Sequence, residues 1–215
     1  MVDEERPGAQ RWVPDTTAVS ALAEAAASCH GCELYRDATQ VVFSAGPQES
    51  PLMLVGEQPG DQEDQRGRPF VGPAGRLLAE ALTAAAIDTK TVYLTNAVKH
   101  FRFERRGKAR IHKTPDVGNI TACLPWLEAE LQAVRPAVVV CLGATAGRAV
   151  LGRPVRIGAE RGALMPGPER LAPAQVLLTT HPSALLRLRD PADREPAFGQ
   201  LVADLAVARD AAKPA

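Results

Sequence analysis

The chain has 215 residues, 46% of them apolar and only 4% aromatic, which is enough to bury a substantial core. No apolar run approaches the length of a membrane span, and the charged start Met1–Gln10, with Pro7 and Gly8, excludes a secretory h-region, so four cysteines point to a reducing cytoplasm rather than a disulfide scaffold. Twenty-five Lys and Arg balance twenty-five Asp and Glu, so only the distribution of charge can point to a partner.

In chain order, residues 1–16 read as a frayed end, and the stretch Thr17–Ala27 predicts a helix that runs into Cys29-His30-Gly31-Cys32. A CxxC pair sets two thiolates on one tight turn, ready to hold a soft metal or a cluster. Its candidate partners, His100 and Cys123, are single and distant. Structural zinc sites commonly use two close pairs, so an iron–sulfur cluster suits this spacing at least as well. A redox pair or two buried cysteines are the plain alternatives.

The apolar run Leu52–Val55 predicts a buried strand leading into Gly56-Glu57-Gln58-Pro59-Gly60-Asp61, followed by a helix over Gly75–Ala86. A second strand, Val92–Thr95, leads into Asn96-Ala97-Val98-Lys99-His100. From Lys99 to Lys113 there are seven Lys or Arg residues and one acid, Glu104, with Phe101 and Phe103 interleaved. Such a segment suits phosphate contact, or it is a solvated basic loop.

A helix over Ile120–Ala133 carries Cys123, and the third strand, Val138–Leu142, carries Cys141 and ends at Gly143-Ala144-Thr145. After the helix Thr145–Leu151, the Pro- and Gly-rich stretch Arg153–Pro173 reads as a loop excursion with room for a short hairpin. The fourth strand, Val176–Thr180, ends at His181-Pro182-Ser183; a last helix covers Ala197–Ala208, and 209–215 read as frayed. Strands alternating with helices predict an α/β fold: a three-layer α/β/α sandwich on a central, mostly parallel four-stranded sheet, in one domain over residues 1–215. In such sheets chemistry sits beyond the carboxyl ends of the strands, where these four loops converge.

Read together, those loops resemble the uracil-DNA glycosylase superfamily. Gly56-Glu57-Gln58-Pro59-Gly60 followed by Arg68-Pro69-Phe70-Val71-Gly72-Pro73-Ala74-Gly75 is similar to its first motif, and His181-Pro182-Ser183 to its last. Iron–sulfur family 4 usually has Ala where this chain has Gln58. That residue and the insert Gly107–Pro115 resemble the neighbouring UdgX branch, whose typical KRRIHK is matched except at Ala109. The resemblance runs from about Cys29 to Arg187.

It implies a [4Fe–4S] cluster on Cys29, Cys32, Cys123 and His100, the last standing where family 4 has a fourth Cys. Cys141 is the rival fourth ligand, but a small apolar side chain belongs at its strand position. The resemblance also implies uracil-containing DNA as partner, with single strands the form to test first, no membrane, and a monomer. Phe70 would stack on the flipped base and Asn96 would read its N3–H and O4. His181 would donate to O2 as charge develops there, and Glu57 would stabilise the sugar cation or polarise its attacker. Gln58 and Asp61 would position base, sugar or His112, while Gly60 admits close approach of DNA. Arg110, Lys113 and Ser183 complete the substrate contacts. His112 would attack C1′ and leave the enzyme covalently attached to DNA. Taken singly, these residues also read as a core Phe, a turn Asn, solvated acids and a surface His. The rival functions are a turning-over family 4 glycosylase and a non-catalytic iron–sulfur DNA-binding protein.

Overall fold

The computed structural model describes residues 6–213. Its strands are β1 (Ser44–Ala45), β2 (Leu52–Gly56), β3 (Tyr93–Asn96), β4 (Phe103–Arg106), β5 (Ala109–His112), β6 (Val138–Leu142), β7 (Leu164–Pro166) and β8 (Gln175–Thr179). Its helices are α1 (Val19–Ala26), α2 (Asp61–Arg66), α3 (Pro73–Ala84), α4 (Val117–Val134), α5 (Ala144–Leu151), α6 (Ile157–Glu160), α7 (Pro182–Leu186) and α8 (Pro191–Ala211). One sheet runs β1-β3-β2-β6-β8-β7, parallel through its four central strands and antiparallel at both edges. The α/β/α expectation holds, with six strands rather than four. The two added edges are only two and three residues long, shorter than the runs that marked the others. Among the described residues, no helix is long and apolar enough to cross a membrane.

Alternation along the central strands divides the core. Met53, Val55, Val139, Cys141, Val176 and Leu178 point into one layer with Leu22, Trp126 and Leu127. Leu52, Leu54, Val138, Val140 and Leu177 point into the other with Leu77, Leu78, Leu201 and Leu205. Both faces of a parallel sheet are thereby covered, as its unbroken apolar runs require.

Local chemistry sets the helix ends. Asp116 and Asn119 form a reciprocal capping box at the start of α4. Pro73 and Pro191 occupy the first turns of α3 and α8, where a missing N–H does no harm. β4 and β5 pair as a separate ribbon, so the insert is a hairpin rather than a loop.

The ends depart from the frayed expectation wherever they are described. Gly8 donates to the Gly31 carbonyl at 3.0 Å and Ala9 to the Ala122 carbonyl at 2.8 Å. The Arg6 guanidinium bridges Glu33 and Asp116. α8 continues to Ala211, burying Ala208 and Ala212. Paired main-chain groups and apolar contacts hold both segments; residues 1–5 and 214–215 lie outside the described residues.

Candidate active site

The carboxyl ends of β2, β3 and β8 meet at one cavity of about 520 Å³. Gly56, the last residue of β2, makes the meeting possible. A Cβ there would stand 2.3 Å from Asn96 Oδ1 and 2.8 Å from Phe70 Cζ. Asn96 is 3% exposed, yet its side-chain amide makes no hydrogen bond among the described residues. Buried amides are normally paired, so an unspent one lining a cavity is free to read a ligand.

His181 caps α7: its Nδ1 accepts the Ser183 N–H at 3.1 Å and lies 2.8 Å from the Ser183 hydroxyl. A backbone N–H can only donate, so Nδ1 carries the lone pair and the neutral ring holds its proton on Nε2. Burial first, then the nearby His112 and Arg187, pushes the His181 pKa down to about 4. Near neutral pH the ring is therefore an uncharged donor.

Phe70 forms one wall of the cavity with its backbone at φ 57°, a strained setting for a bulky residue. Gly75 lets α3 pack against it, since a Cβ at that position would meet the Phe70 carbonyl oxygen at 1.8 Å. Glu63, which the sequence reading missed, is buried and accepts the Gly72 N–H at 2.6 Å, fixing the same loop. Glu57 accepts a hydrogen bond from the Thr145 hydroxyl at 2.5 Å, a second missed contact, and its Oε1 lies 3.3 Å from His112 Nε2. Glu57, Phe70, Asn96, His112, His181 and Ser183 are thus brought together.

Other expected substrate contacts are spent on holding the hairpin. The Gln58 amide donates to the carbonyls of Arg102 and Lys113, both at 3.1 Å, and accepts the Arg102 N–H at 2.9 Å. It therefore grips both feet of the β4–β5 ribbon. Arg110 turns inward onto Asp61 at 2.5 Å and Asp64 at 2.6 Å, and also reaches the Thr39 hydroxyl. Gln58, Asp61 and Arg110 thus act on the hairpin, although Gln58, Gly60 and Asp61 also line the cavity. Lys99, expected in the phosphate-contacting segment, is 1% exposed and paired with the buried Glu130. Arg105, Arg106, Lys108 and Lys113 remain exposed on the ribbon, Lys113 beside Glu104.

Cys29, Cys32, Cys123 and His100 are all buried. Trp126 Nε1 and the Gly31 N–H point at Cys29 Sγ, at 3.2 and 3.4 Å, and the Lys99 N–H points at Cys123 Sγ at 3.3 Å. Burial pushes Cys32 up to about 11, with Cys29 adding to it, and Cys123 up to about 12, with Cys32 and Cys29 adding. All three thiols belong to the same buried cluster on one face of the sheet. Burial pushes His100 down to about 4, leaving a neutral imidazole, the form that ligates metals. Among the described residues, no three or more His, Cys, Asp or Glu side chains are grouped to hold a single metal ion. Cys141 sits in β6 opposite Val55 and Leu178, raised by burial alone.

The Uracil DNA glycosylase superfamily profile matches residues 43–206. The Type-4 uracil-DNA glycosylase of Thermotoga maritima is 37% identical over 169 residues, spanning 78% of this chain and 83% of the relative. That of Pyrobaculum aerophilum is 34% identical over 172 residues, spanning 77% and 83%. A Type-5 uracil-DNA glycosylase from the same organism is 33% identical over 156 residues, 65% of this chain and 64% of that protein. With the matched segment enclosing all four strand-end loops, the chain belongs to the uracil DNA glycosylase superfamily.

Proposed function

We propose that this chain excises uracil from DNA and that His112 captures the sugar left behind. One observation carries the reading: an imidazole, 49% exposed, stands 3.3 Å from Glu57 at the cavity lined by Asn96, Phe70 and His181. A flipped base would stack on Phe70 and pair its N3–H and O4 with the unspent Asn96 amide. As the bond from N1 to C1′ breaks, its electron pair moves onto uracil, where the Nε2–H of His181 meets the charge growing on O2. A lone pair of the His112 ring forms the new bond to C1′. The positive ring stands beside Glu57 and sheds its remaining N–H proton to solvent, while uracil takes a proton from water. The grip of Gln58 on the hairpin supports this reading, because a nucleophile must be held within a fraction of an ångström of its target.

Cys29, Cys32, Cys123 and His100 fit a [4Fe–4S] cluster: three thiols and a neutral imidazole, buried and served by N–H donors. When bound, the cluster supplies a cross-link between the N-terminal turn, the loop after β3 and α4. Purified protein should contain iron and sulfide; zinc without iron would overturn the assignment. The same reading takes the chain as a single domain working as a monomer.

A second reading is a turning-over glycosylase in which water takes the sugar and His112 only contacts phosphate; it is favoured by the Type-4 name that the relatives carry. Denaturing electrophoresis with uracil-containing single-stranded DNA separates the two. A band that survives heat and detergent, with the added sugar mass mapped to His112, supports capture. A strand break after alkali with no such band supports turnover, and the absence of both products sinks both readings.

A further inference from the structure

Beneath the cavity lies a buried polar network with no expected role in the reaction. The Lys99 ammonium donates to Thr95 Oγ1 at 2.6 Å, to the Asn96 carbonyl at 2.9 Å and to Glu130 Oε2. The other oxygen of Glu130 accepts from Tyr93 at 2.9 Å and Thr95 at 2.8 Å. Every group in the network is satisfied, and Glu130 is fully buried. A buried ion pair is weak evidence for stability, since apolar side chains of similar volume often serve as well.

Its attachments are concentrated on one strand. Tyr93, Thr95 and Asn96 all belong to β3, whose outer neighbour β1 pairs only with Leu94 and Thr95. Beyond that point the Asn96 carbonyl has no strand to receive it, and Lys99 takes it instead. The same short segment is tied on two further sides: Val98 donates to the Glu57 carbonyl at 3.0 Å and the Lys99 N–H to Cys123 Sγ. The peptide that follows Asn96 is therefore held on two sides, its N–H by the Gly56 carbonyl of β2 at 2.9 Å and its carbonyl by the Lys99 ammonium, where β1 no longer reaches.

We propose that Lys99 is a positioning residue that acts through Asn96, fixing the direction of the base-reading amide, with Glu130 keeping the ammonium in place. The inference rests on the reading that Asn96 pairs with the base. Lys99→Met alone strands the Glu130 carboxylate in the core and can fail to fold, so the informative variant is K99M/E130Q, which removes the charge pair and keeps an acceptor for Tyr93 and Thr95.

The experiment is a cycle of single-turnover uracil-release rates for wild type, K99M/E130Q, Asn96→Ala and the triple variant, each as iron-loaded protein with a checked melting temperature. K99M/E130Q should lose about 10- to 100-fold in rate, the scale of a small misplacement. The triple variant should be no slower than Asn96→Ala, because an effect relayed through Asn96 vanishes with it. Losses that multiply in the triple variant, or a K99M/E130Q rate equal to wild type, overturn the role of Lys99. An Asn96→Ala rate equal to wild type overturns the base-reading role itself, and with it the route assigned to Lys99. Restored rate in Lys99→Arg, which can still donate to the Asn96 carbonyl, supports the assignment.

Discussion

The floor of the cavity and the hairpin above it are built on opposite principles. Glu57, Asn96 and His181 stand at the ends of parallel strands backed on both faces by the apolar core. His112 rides a two-stranded ribbon, a form marginal on its own in water. Gln58 and Arg110 tie that ribbon down, helped by Phe101 packed near Phe103. On the proposed reading, base recognition therefore rests on the core, whereas capture rests on a few polar ties. Excision and capture should separate under mutation.

The largest break in that contrast comes from His112→Ala. It removes the ring while leaving Glu57, Asn96 and His181 in place, so the detergent-stable DNA complex should be lost outright. Water can then enter the vacated space, and abasic DNA should be released; quantifying both products on one gel checks it. An undiminished complex would sink the capture mechanism.

His181→Ala strikes the floor instead. Loss of one preorganised donor should slow the single-turnover rate by about 10²- to 10³-fold with little change in DNA affinity. Rapid-quench kinetics beside equilibrium binding test this, and equal losses in both would count against it.

Gln58→Ala should fall between the two regions. The feet of the hairpin lose their grip, so adduct yield should drop by about 10- to 100-fold. Uracil release, which depends on the floor, should change far less. Parallel loss of both activities would show that the ribbon and the floor are one unit.

The smallest effect is on stability. His181 titrates at about 4 in the fold and at about 6.5 when unfolded. Between those values the unfolded chain binds the extra proton, so stability from this group is complete above about pH 6.5 and drains away as pH falls toward 4, by at most ~3 kcal/mol. Urea midpoints of wild type and His181→Asn from pH 4 to 7 check the slope, which should flatten in the variant.

Much of the floor was legible because each apolar run ends in polar or glycine-rich sequence, as at Gly56-Glu57 and Asn96. The ties were not. Arg110 reads the same whether it meets phosphate or carboxylate, and its partners Asp61 and Asp64 lie 49 and 46 residues away. Lys99 looked like one more cation in a basic run, since composition reports charge and says nothing of burial; Glu130 reaches it from 31 residues along the chain. β1 and β7 were hidden for another reason, being edge strands of two and three residues, too short to show a period. The N-terminal segment looked frayed because Pro7 and Gly8 break any periodic pattern, while its fastening depends on distant acids that pair with Arg6.

That fastening matters at the bench. Residues 6–9 lie across the Cys29–Cys32 turn, where a Cβ on Gly31 would stand 2.9 Å from the Ala9 backbone. Main-chain bonds to Gly31 and Ala122 fasten them there like a latch on the turn, and Arg6, paired with Glu33 and Asp116, is its catch. Trimming the chain past Ala9 should lift the latch and leave the Cys29–Cys32 turn more open to solvent. Purification tags are better carried on the far end, and the shelf life of the thiols in air will report how well the latch is shut.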